Sequence, residues 1–205
     1  MLEVTNLGCV RGDRRLFSDL NFSVKPGQWI QVTGPNGCGK TSLLRMICGL
    51  LEPVAGTIRW RGEDIRALGE EYHANLTYLG HHNGIKDELT SIENLRCSSG
   101  LSGVDVSRDA AVQILRDMGL EGREHLPARL LSQGQRRRLA LATVRVAGSV
   151  LWVLDEVLTS LDQAAVALTR SLITEHVEHD GIAIVATHQD LDLSAGNLQR
   201  IELSL

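Results

Sequence analysis

The sequence predicts an α/β protein with a mixed β-sheet core, an antiparallel β region and a helical lobe. Three observations predict this class. Residues 1–33 alternate apolar and polar positions, as strands do. A glycine-rich turn then joins a strand to a helix. Beyond a long helical stretch, two apolar runs of strand length flank one more helix, which is the order of a strand–helix–strand unit.

The N-terminal third alternates strand and turn signals. Strands are predicted over residues 2–4, 20–24 and 29–33, with a turn at 25–27. A helix follows over 40–48 and ends at Gly49, and another strand spans 56–62.

The middle of the chain is mostly helical. Thr90 and Glu93 have the spacing of a capping box and predict a helix start. Ser107 precedes a second amphipathic helix that ends at Gly119. Strand signals return at 150–154 and 182–186, on either side of a helix over 162–178. We therefore expect a single domain over 1–205, with a helical lobe over about 82–148 inserted in the α/β core.

Composition excludes several classes of protein. The 205 residues include 21 Lys and Arg against 25 Asp and Glu, a formal net charge of −4, which argues against a dedicated nucleic-acid binder. No apolar run is long enough to cross a membrane, and the N-terminus has no signal-peptide pattern. The four cysteines lack metal-site or CxxC spacing. We expect a chain that by itself stays in the cytoplasm.

A phosphate-binding loop is predicted between the strand at 29–33 and the next helix. Residues 34–41 fit G-x-x-x-x-G-K-[ST] at every fixed position. Glycines let backbone N–H groups face phosphate oxygens, and the helix directs its positive dipole end at the same anion. The predicted nucleotide-binding residues here are Gly34, Pro35, Asn36, Gly37, Cys38, Gly39, Lys40, Thr41 and Ser42.

The chemistry of this loop predicts ATP and Mg²⁺ as its ligands. Lys40 would reach the β- and γ-phosphates, and the Thr41 hydroxyl would ligate Mg²⁺. Asp155 ends the apolar run 150–154, where a second group for Mg²⁺ belongs. Glu156 follows it and is the candidate general base for the attacking water.

Three further segments bear a family resemblance. Residues 131–135, Leu-Ser-Gln-Gly-Gln, resemble the LSGGQ signature of ATP-binding-cassette (ABC) ATPases. Residues 160–162 are similar to their D-loop, and His188, within 187–190, is similar to their switch histidine. Together with the phosphate loop, this order resembles a P-loop NTPase of the ABC type over nearly the whole chain.

The resemblance implies a head-to-tail dimer of two copies with ATP between them. Ser132 and Gly134 would contact the γ-phosphate held by the other copy's Lys40, and Gln135 belongs to the same binding set. Such a contact suits the anion, because a helix N-terminus and a hydroxyl donor both favour negative charge. His188 would hold the γ-phosphate and the attacking water in register with Glu156.

The sequence departs from the family pattern at four positions. Arg11 stands where an aromatic residue usually stacks on adenine, and its guanidinium plane would stack instead. Val157 replaces a proline, and Gln133 replaces a signature glycine. His82 replaces the glutamine that links Mg²⁺ and water to the transporter, so it is a candidate metal ligand. An alternative interpretation is that His82 and the adjacent His81 are ligands of zinc or haem.

The family can be narrowed further by five segments, residues 78–86, 88–95, 134–142, 151–156 and 187–189. They are similar to the CcmA family, the ATP-binding subunits of haem export in cytochrome c biogenesis. The resemblance implies integral membrane partners of the CcmB and CcmC kind, and a peripheral location on the cytoplasmic face of the bacterial inner membrane.

Alternatives remain at this point. One is the ATPase subunit of an ABC exporter for another solute, and another is a non-transport ABC ATPase. A small-molecule P-loop kinase leaves residues 131–135 and His188 without a role. For the arginine run 136–138, a solvated helix face with carboxylate partners is favoured over a lipid or partner contact.

Overall fold

The computed structural model describes residues 1–159, 161–188, 191, 193 and 195–204. Three predicted motif residues, Ser160, Gln189 and Asp190, lie outside them. The chain divides into two compact units. The first unit comprises Met1–Tyr78, Ser149–Glu156 and Ile173–Leu205, and the second comprises Leu79–Gly148 and Val157–Leu172.

An antiparallel sheet forms one part of the first unit. Its strands are β1 (Leu2–Arg11), β2 (Arg14–Val24), β4 (Ala55–Trp60) and β5 (Glu63–Asp64), and they lie in the order β2-β1-β4-β5. Strands β1 and β2 are both longer than the predicted segments, and their pairing register shifts three times, between Val4 and Leu7, between Leu7 and Cys9, and between Cys9 and Val10. Asn6 accommodates this irregularity with a positive φ of 49°.

A second sheet comprises β3 (Gln28–Thr33), β6 (Leu76–Leu79), β7 (Leu151–Asp155), β8 (Ile182–Ala186) and β9 (Asn197–Glu202). These strands lie in the order β6-β7-β8-β3-β9. β8 pairs in parallel with both β3 and β7, and β3 pairs in parallel with β9. Every residue of β7 and β8 is buried, as expected for central parallel strands. The carboxyl ends of β3, β7 and β8 therefore meet at one edge of this sheet.

The helices of the first unit are α1 (Lys40–Ile47), α2 (Ile65–Leu68), α3 (Glu70–Ala74) and the last residues of α7 (Gln163–Glu178). Its apolar core joins both sheets to α1, with Leu43, Leu44 and Ile47 fully buried. Burial of such a face, rather than helix propensity, stabilises a helix as short as α1.

An aromatic stack links α7 to β7 within the first unit. The rings of Trp152 and His176 lie parallel with centroids 3.8 Å apart. The Nε2 atom of His176 lies 3.1 Å from the Val150 carbonyl and 3.3 Å from the Ile182 carbonyl, so it carries the proton that both can accept. Burial lowers the pKa of His176, which keeps the ring neutral in the fold.

The second unit is helical. It contains α4 (Ser91–Leu101), α5 (Arg108–Asp117), a 3₁₀ turn at Ala128–Leu130, α6 (Gln133–Val146) and the first part of α7. Thr90 and Glu93 form the predicted capping box, and the Ser107 hydroxyl caps α5 as predicted. Within the described ranges, no helix is long and apolar enough to span a membrane.

Candidate functional site

The phosphate loop lies between β3 and α1, as predicted. Gly34 and Gly39 have φ values of 137° and 110°, which side chains rarely adopt. A Cβ atom on Gly34 would collide with the Leu203 carbonyl, and one on Gly39 would lie 3.1 Å from the Phe17 ring. Gly39 is the N-cap of α1 and provides no side-chain hydrogen bond to the helix. The start of α1 therefore has no side-chain cap, so the backbone N–H groups of its first turn can donate to an anion.

Lys40 lies inside the loop rather than in solvent. Its side chain is largely buried, and Nζ donates to the carbonyl oxygens of Gly34 at 2.8 Å and Pro35 at 3.2 Å. Both acceptors are neutral, so a phosphate oxygen would be a stronger partner for the ammonium. Lys40 is thus held close to where it would meet a bound phosphate.

A pair of hard oxygen donors joins α1 to β7. The Thr41 hydroxyl donates to Oδ2 of Asp155 at 2.8 Å, and Asp155 is almost fully buried at the end of β7. A hydroxyl and a carboxylate so close together are the donor types that Mg²⁺ prefers. The residues present therefore fit a magnesium ion associated with a nucleotide phosphate.

Glu156 follows Asp155 in a strained backbone conformation. Its φ is 51°, and its backbone N–H donates to the Ala186 carbonyl at 2.9 Å. A residue with a long side chain in this region costs about 1–3 kcal/mol, and such strain clusters at functional sites. The hydrogen bond to β8 holds Glu156 at the sheet edge in spite of this cost.

His188 lies close to both the phosphate loop and Glu156. Its Nε2 atom lies 2.9 Å from Oδ1 of Asn36, 3.2 Å from Nζ of Lys40 and 3.3 Å from Oε1 of Glu156. When Nε2 carries a proton, it can donate to the amide or the carboxylate, and when it does not, it can accept from Lys40. The tautomer of the His188 ring therefore decides whether Nε2 donates or accepts in these contacts.

A cleft of about 360 Å³ opens beside this cluster. Arg11 and Leu16, from the antiparallel sheet, line it together with the phosphate loop and Glu156. The predicted stacking residue Arg11 is exposed and so has access to a base in the cleft. Cys38, in contrast, has its thiol buried, so it serves the site through its backbone.

The signature residues lie at the start of α6, in the second unit. The Ser132 hydroxyl accepts from the Gln135 N–H at 3.2 Å, and Oε1 of Gln135 accepts from the Ser132 N–H at 2.9 Å. This is a reciprocal capping box. The Ser132 hydroxyl keeps its own proton for a further acceptor, and Gly134 has open space around it. Gln135 therefore supports Ser132 through its side-chain oxygen.

His82 also lies in the second unit, and its side chain is exposed. Its ring and that of His81 meet edge to face, with centroids 5.7 Å apart. Among the residues that the structure describes, no group of three or more His, Cys, Asp or Glu side chains could hold a metal ion. A role of His82 toward Mg²⁺ stays a prediction.

Of the predicted site residues, the first unit contains Arg11, residues 34–42, Asp155, Glu156 and His188, and the second contains His82, Ser132, Gly134 and Gln135. Sequence reasoning missed Arg137. Arg136 and Arg138 pair with Asp87 and Asp162, as the favoured reading of the run predicts, but Arg137 is buried. Its helical spacing with Ala140 and Val144, both apolar and buried, was the available signal.

Comparison with known proteins identifies the family. The sequence profile of ABC transporters matches residues 17–159, most of the chain. The chain belongs to the ABC transporter family. Among its relatives, the cytochrome c biogenesis ATP-binding export protein CcmA of Nitrosospira multiformis is 55% identical, over 99% of this chain and 98% of that protein. The protein of the same name from Nitrosomonas europaea is 53% identical, over 100% and 96%.

Solved structures agree on the fold. The dimeric structure of a bacterial ABC transporter cassette superposes with a TM-score of 0.85 at 21% identity, covering 100% of this chain and 94% of that one. The predicted α/β class of ABC type is confirmed, as is the resemblance to the CcmA family. In this chain, the antiparallel strands form one sheet, and the strands that present the phosphate loop form a second sheet.

Proposed function

We propose that this chain is the ATP-binding and ATP-hydrolysing subunit of an ABC exporter that serves cytochrome c biogenesis, with haem as the cargo. One observation carries the ATPase assignment. Within a single compact unit, Lys40, Glu156 and His188 surround a phosphate loop whose helix start has no side-chain cap. A cation, a carboxylate and a histidine in this arrangement serve phosphoryl transfer to water.

Binding begins with the loop. Its N–H groups and the Lys40 ammonium would donate hydrogen bonds to the β- and γ-phosphates, so that Lys40 exchanges the carbonyls of Gly34 and Pro35 for phosphate oxygens. Thr41 and Asp155 would hold Mg²⁺, which when bound neutralises charge on the phosphates. Arg11 would cover the base at the other end of the cleft.

Hydrolysis follows at Glu156. Its carboxylate takes a proton from water as the water oxygen bonds to the γ-phosphorus and the bond to the bridging oxygen breaks. ADP carries away the electrons of the broken bond, and inorganic phosphate is the second product. His188, within 3.3 Å of Glu156, would donate to the γ-phosphate and keep the water aligned.

A second copy of the chain would complete each site. The Ser132 hydroxyl retains a proton to donate, and Gly134 leaves the start of α6 accessible. These properties suit contact with a γ-phosphate held by a partner, and the bacterial cassette of the same fold is described as dimeric. We infer one nucleotide-binding domain over residues 1–205 that works as a head-to-tail pair.

The relatives support the export role. The proteins from Nitrosospira and Nitrosomonas are named as export proteins of cytochrome c biogenesis, and they match this chain over nearly its full length. We infer a peripheral subunit on the cytoplasmic face of the inner membrane, bound to integral membrane partners of the CcmB and CcmC kind. Haem as cargo rests on the resemblance to the CcmA family.

The Glu156→Gln variant tests the ATPase step. We expect it to bind ATP normally but to release phosphate roughly 10²–10⁴ times more slowly, since a general base contributes about that factor. Phosphate release and equilibrium ATP binding by the purified chain measure the two effects. Hydrolysis at the wild-type rate would remove Glu156 from the role of base.

Gene deletion tests the biological role. Haem staining of periplasmic c-type cytochromes should disappear in the deletion strain and return with the wild-type gene, but not with the gene carrying Glu156→Gln. Normal staining after deletion would rule out the cytochrome c role and leave the ATPase assignment intact.

A further inference from the structure

Arg137 occupies an unusual place for an arginine. It lies in α6 between two arginines that form ion pairs at the surface, yet it is only 6% exposed. Arg136 pairs with Asp87 at 2.6 Å, and Arg138 pairs with Asp162 at 3.0 Å. Burying a cation is costly unless its hydrogen bonds are satisfied, so the contacts of Arg137 indicate its purpose.

The Arg137 guanidinium bridges two loops of the second unit. Its Nη1 atom donates to the Asn83 side-chain oxygen at 2.6 Å and to the Gly80 carbonyl at 3.2 Å. Its Nε atom donates to the Val157 carbonyl at 3.3 Å. The rigid, planar fork of an arginine can serve such divergent acceptors at once, whereas a lysine ammonium at the end of a flexible stem cannot hold them in one geometry.

The two loops that Arg137 contacts adjoin candidate site residues in the sequence. Val157 directly follows the general base Glu156, and Gly80 and Asn83 flank His81 and His82. A proline after Glu156 would fix its own φ, but valine does not. Val157 is instead held by complete burial and by the hydrogen bond from Arg137 to its carbonyl.

We propose that Arg137 is a positioning residue for ATP hydrolysis, which fixes the peptide that follows Glu156 and ties it to the loop at residues 80–83. Arg137 would act through its contacts with Val157 and Asn83. The inference rests on the proposed ATPase function. It assigns Arg137 a role beyond the solvated helix face of its two neighbours.

The Arg137→Gln variant is the main test. We expect kcat for ATP hydrolysis to fall at least about 10-fold while KM for ATP stays within about two-fold, because the residues that bind phosphate are unchanged. Arg137→Lys should restore little of the rate. The matched control is Arg136→Gln, one residue away, which removes an exposed ion pair and should keep the wild-type kcat.

A double-mutant cycle separates positioning from a loss of folded protein. Asn83→Ala should lower kcat alone, and it should add little in the Arg137→Gln background, because both changes break one link. If Arg137→Gln does not fold, Asn83→Ala alone decides the matter. A wild-type kcat in either variant, or a change confined to KM, would overturn the proposal. If the wild-type chain itself does not hydrolyse ATP, the ATPase assignment fails instead.

Discussion

The two helix starts that carry the site residues, at α1 and at α6, are built in opposite ways. α1 begins at Gly39, whose φ is 110° and which offers no side chain to cap the helix. α6 begins at Ser132, whose side chain and that of Gln135 satisfy each other's backbone N–H groups. The difference separates two modes of anion contact. α1 would use its backbone and a buried lysine, whereas α6 is already capped and offers a single hydroxyl.

The largest contrast is expected between two glycine-to-alanine changes. Gly39→Ala should cost about 1–3 kcal/mol of unfolding free energy and abolish ATP binding, because its φ is positive and the new Cβ would lie 3.1 Å from Phe17. Gly134→Ala should keep the fold as stable as before, or raise stability by up to about 1 kcal/mol, since Gly134 lies in a helix with open space around it. Urea denaturation and titration with a fluorescent ATP analogue measure both. Equal losses in the two variants would contradict the contrast.

A smaller effect should distinguish two serine caps of the second unit. Ser132 and Ser107 each accept a backbone N–H three residues ahead at 3.2 Å. Replacing either with Ala should therefore cost about 1 kcal/mol of stability. Only Ser132→Ala should also slow ATP hydrolysis, by roughly 10–100-fold, because only that hydroxyl would meet a phosphate.

Thermal denaturation and steady-state hydrolysis of the two serine variants make the comparison. Equal hydrolysis by both variants would reduce Ser132 to a helix cap.

The smallest expected effect is a pH dependence of stability in the first unit, which contains α1. Burial lowers the pKa of His176 below its ordinary value of 6.5, so the unfolded chain binds the proton more readily than the fold does. Stability contributed by the neutral ring is therefore complete above about pH 6.5 and is lost as the pH falls toward the lower pKa of the folded state. Urea denaturation between about pH 7.5 and about pH 5.5 measures this slope.

His176→Gln should flatten the slope, and His179→Gln, at an exposed residue of the next turn, should not. An unchanged slope in His176→Gln would place the pH dependence elsewhere.

Much of the fold was predictable because its signals are local. The strand–loop–helix around Lys40, the cap at Thr90 and the apolar strand before Asp155 each depend on a few adjacent residues. β9 was missed because it is a largely exposed strand of polar sequence at the edge of its sheet, with only Ile201 buried. β6 was missed because four residues are too few for a pattern.

The candidate site was predictable in membership but not in contacts. Motifs predicted Lys40, Glu156 and His188, but no spacing in the sequence indicates that Nε2 of His188 would lie near both Lys40 and Glu156. Residues 36 and 188 are 152 positions apart, and only the pairing of β3 with β8 brings them together. Arg137 was missed because its two neighbours behave as surface arginines do.

The positive φ of Glu156 has a consequence for the evolution of heat resistance. Glycine or asparagine would relax that backbone and raise the melting temperature, since both tolerate the left-handed region. Either would also delete the carboxylate. A laboratory selection for thermostability alone would therefore favour a stable chain that does not hydrolyse ATP. Only a screen that also requires ATP hydrolysis would retain the glutamate.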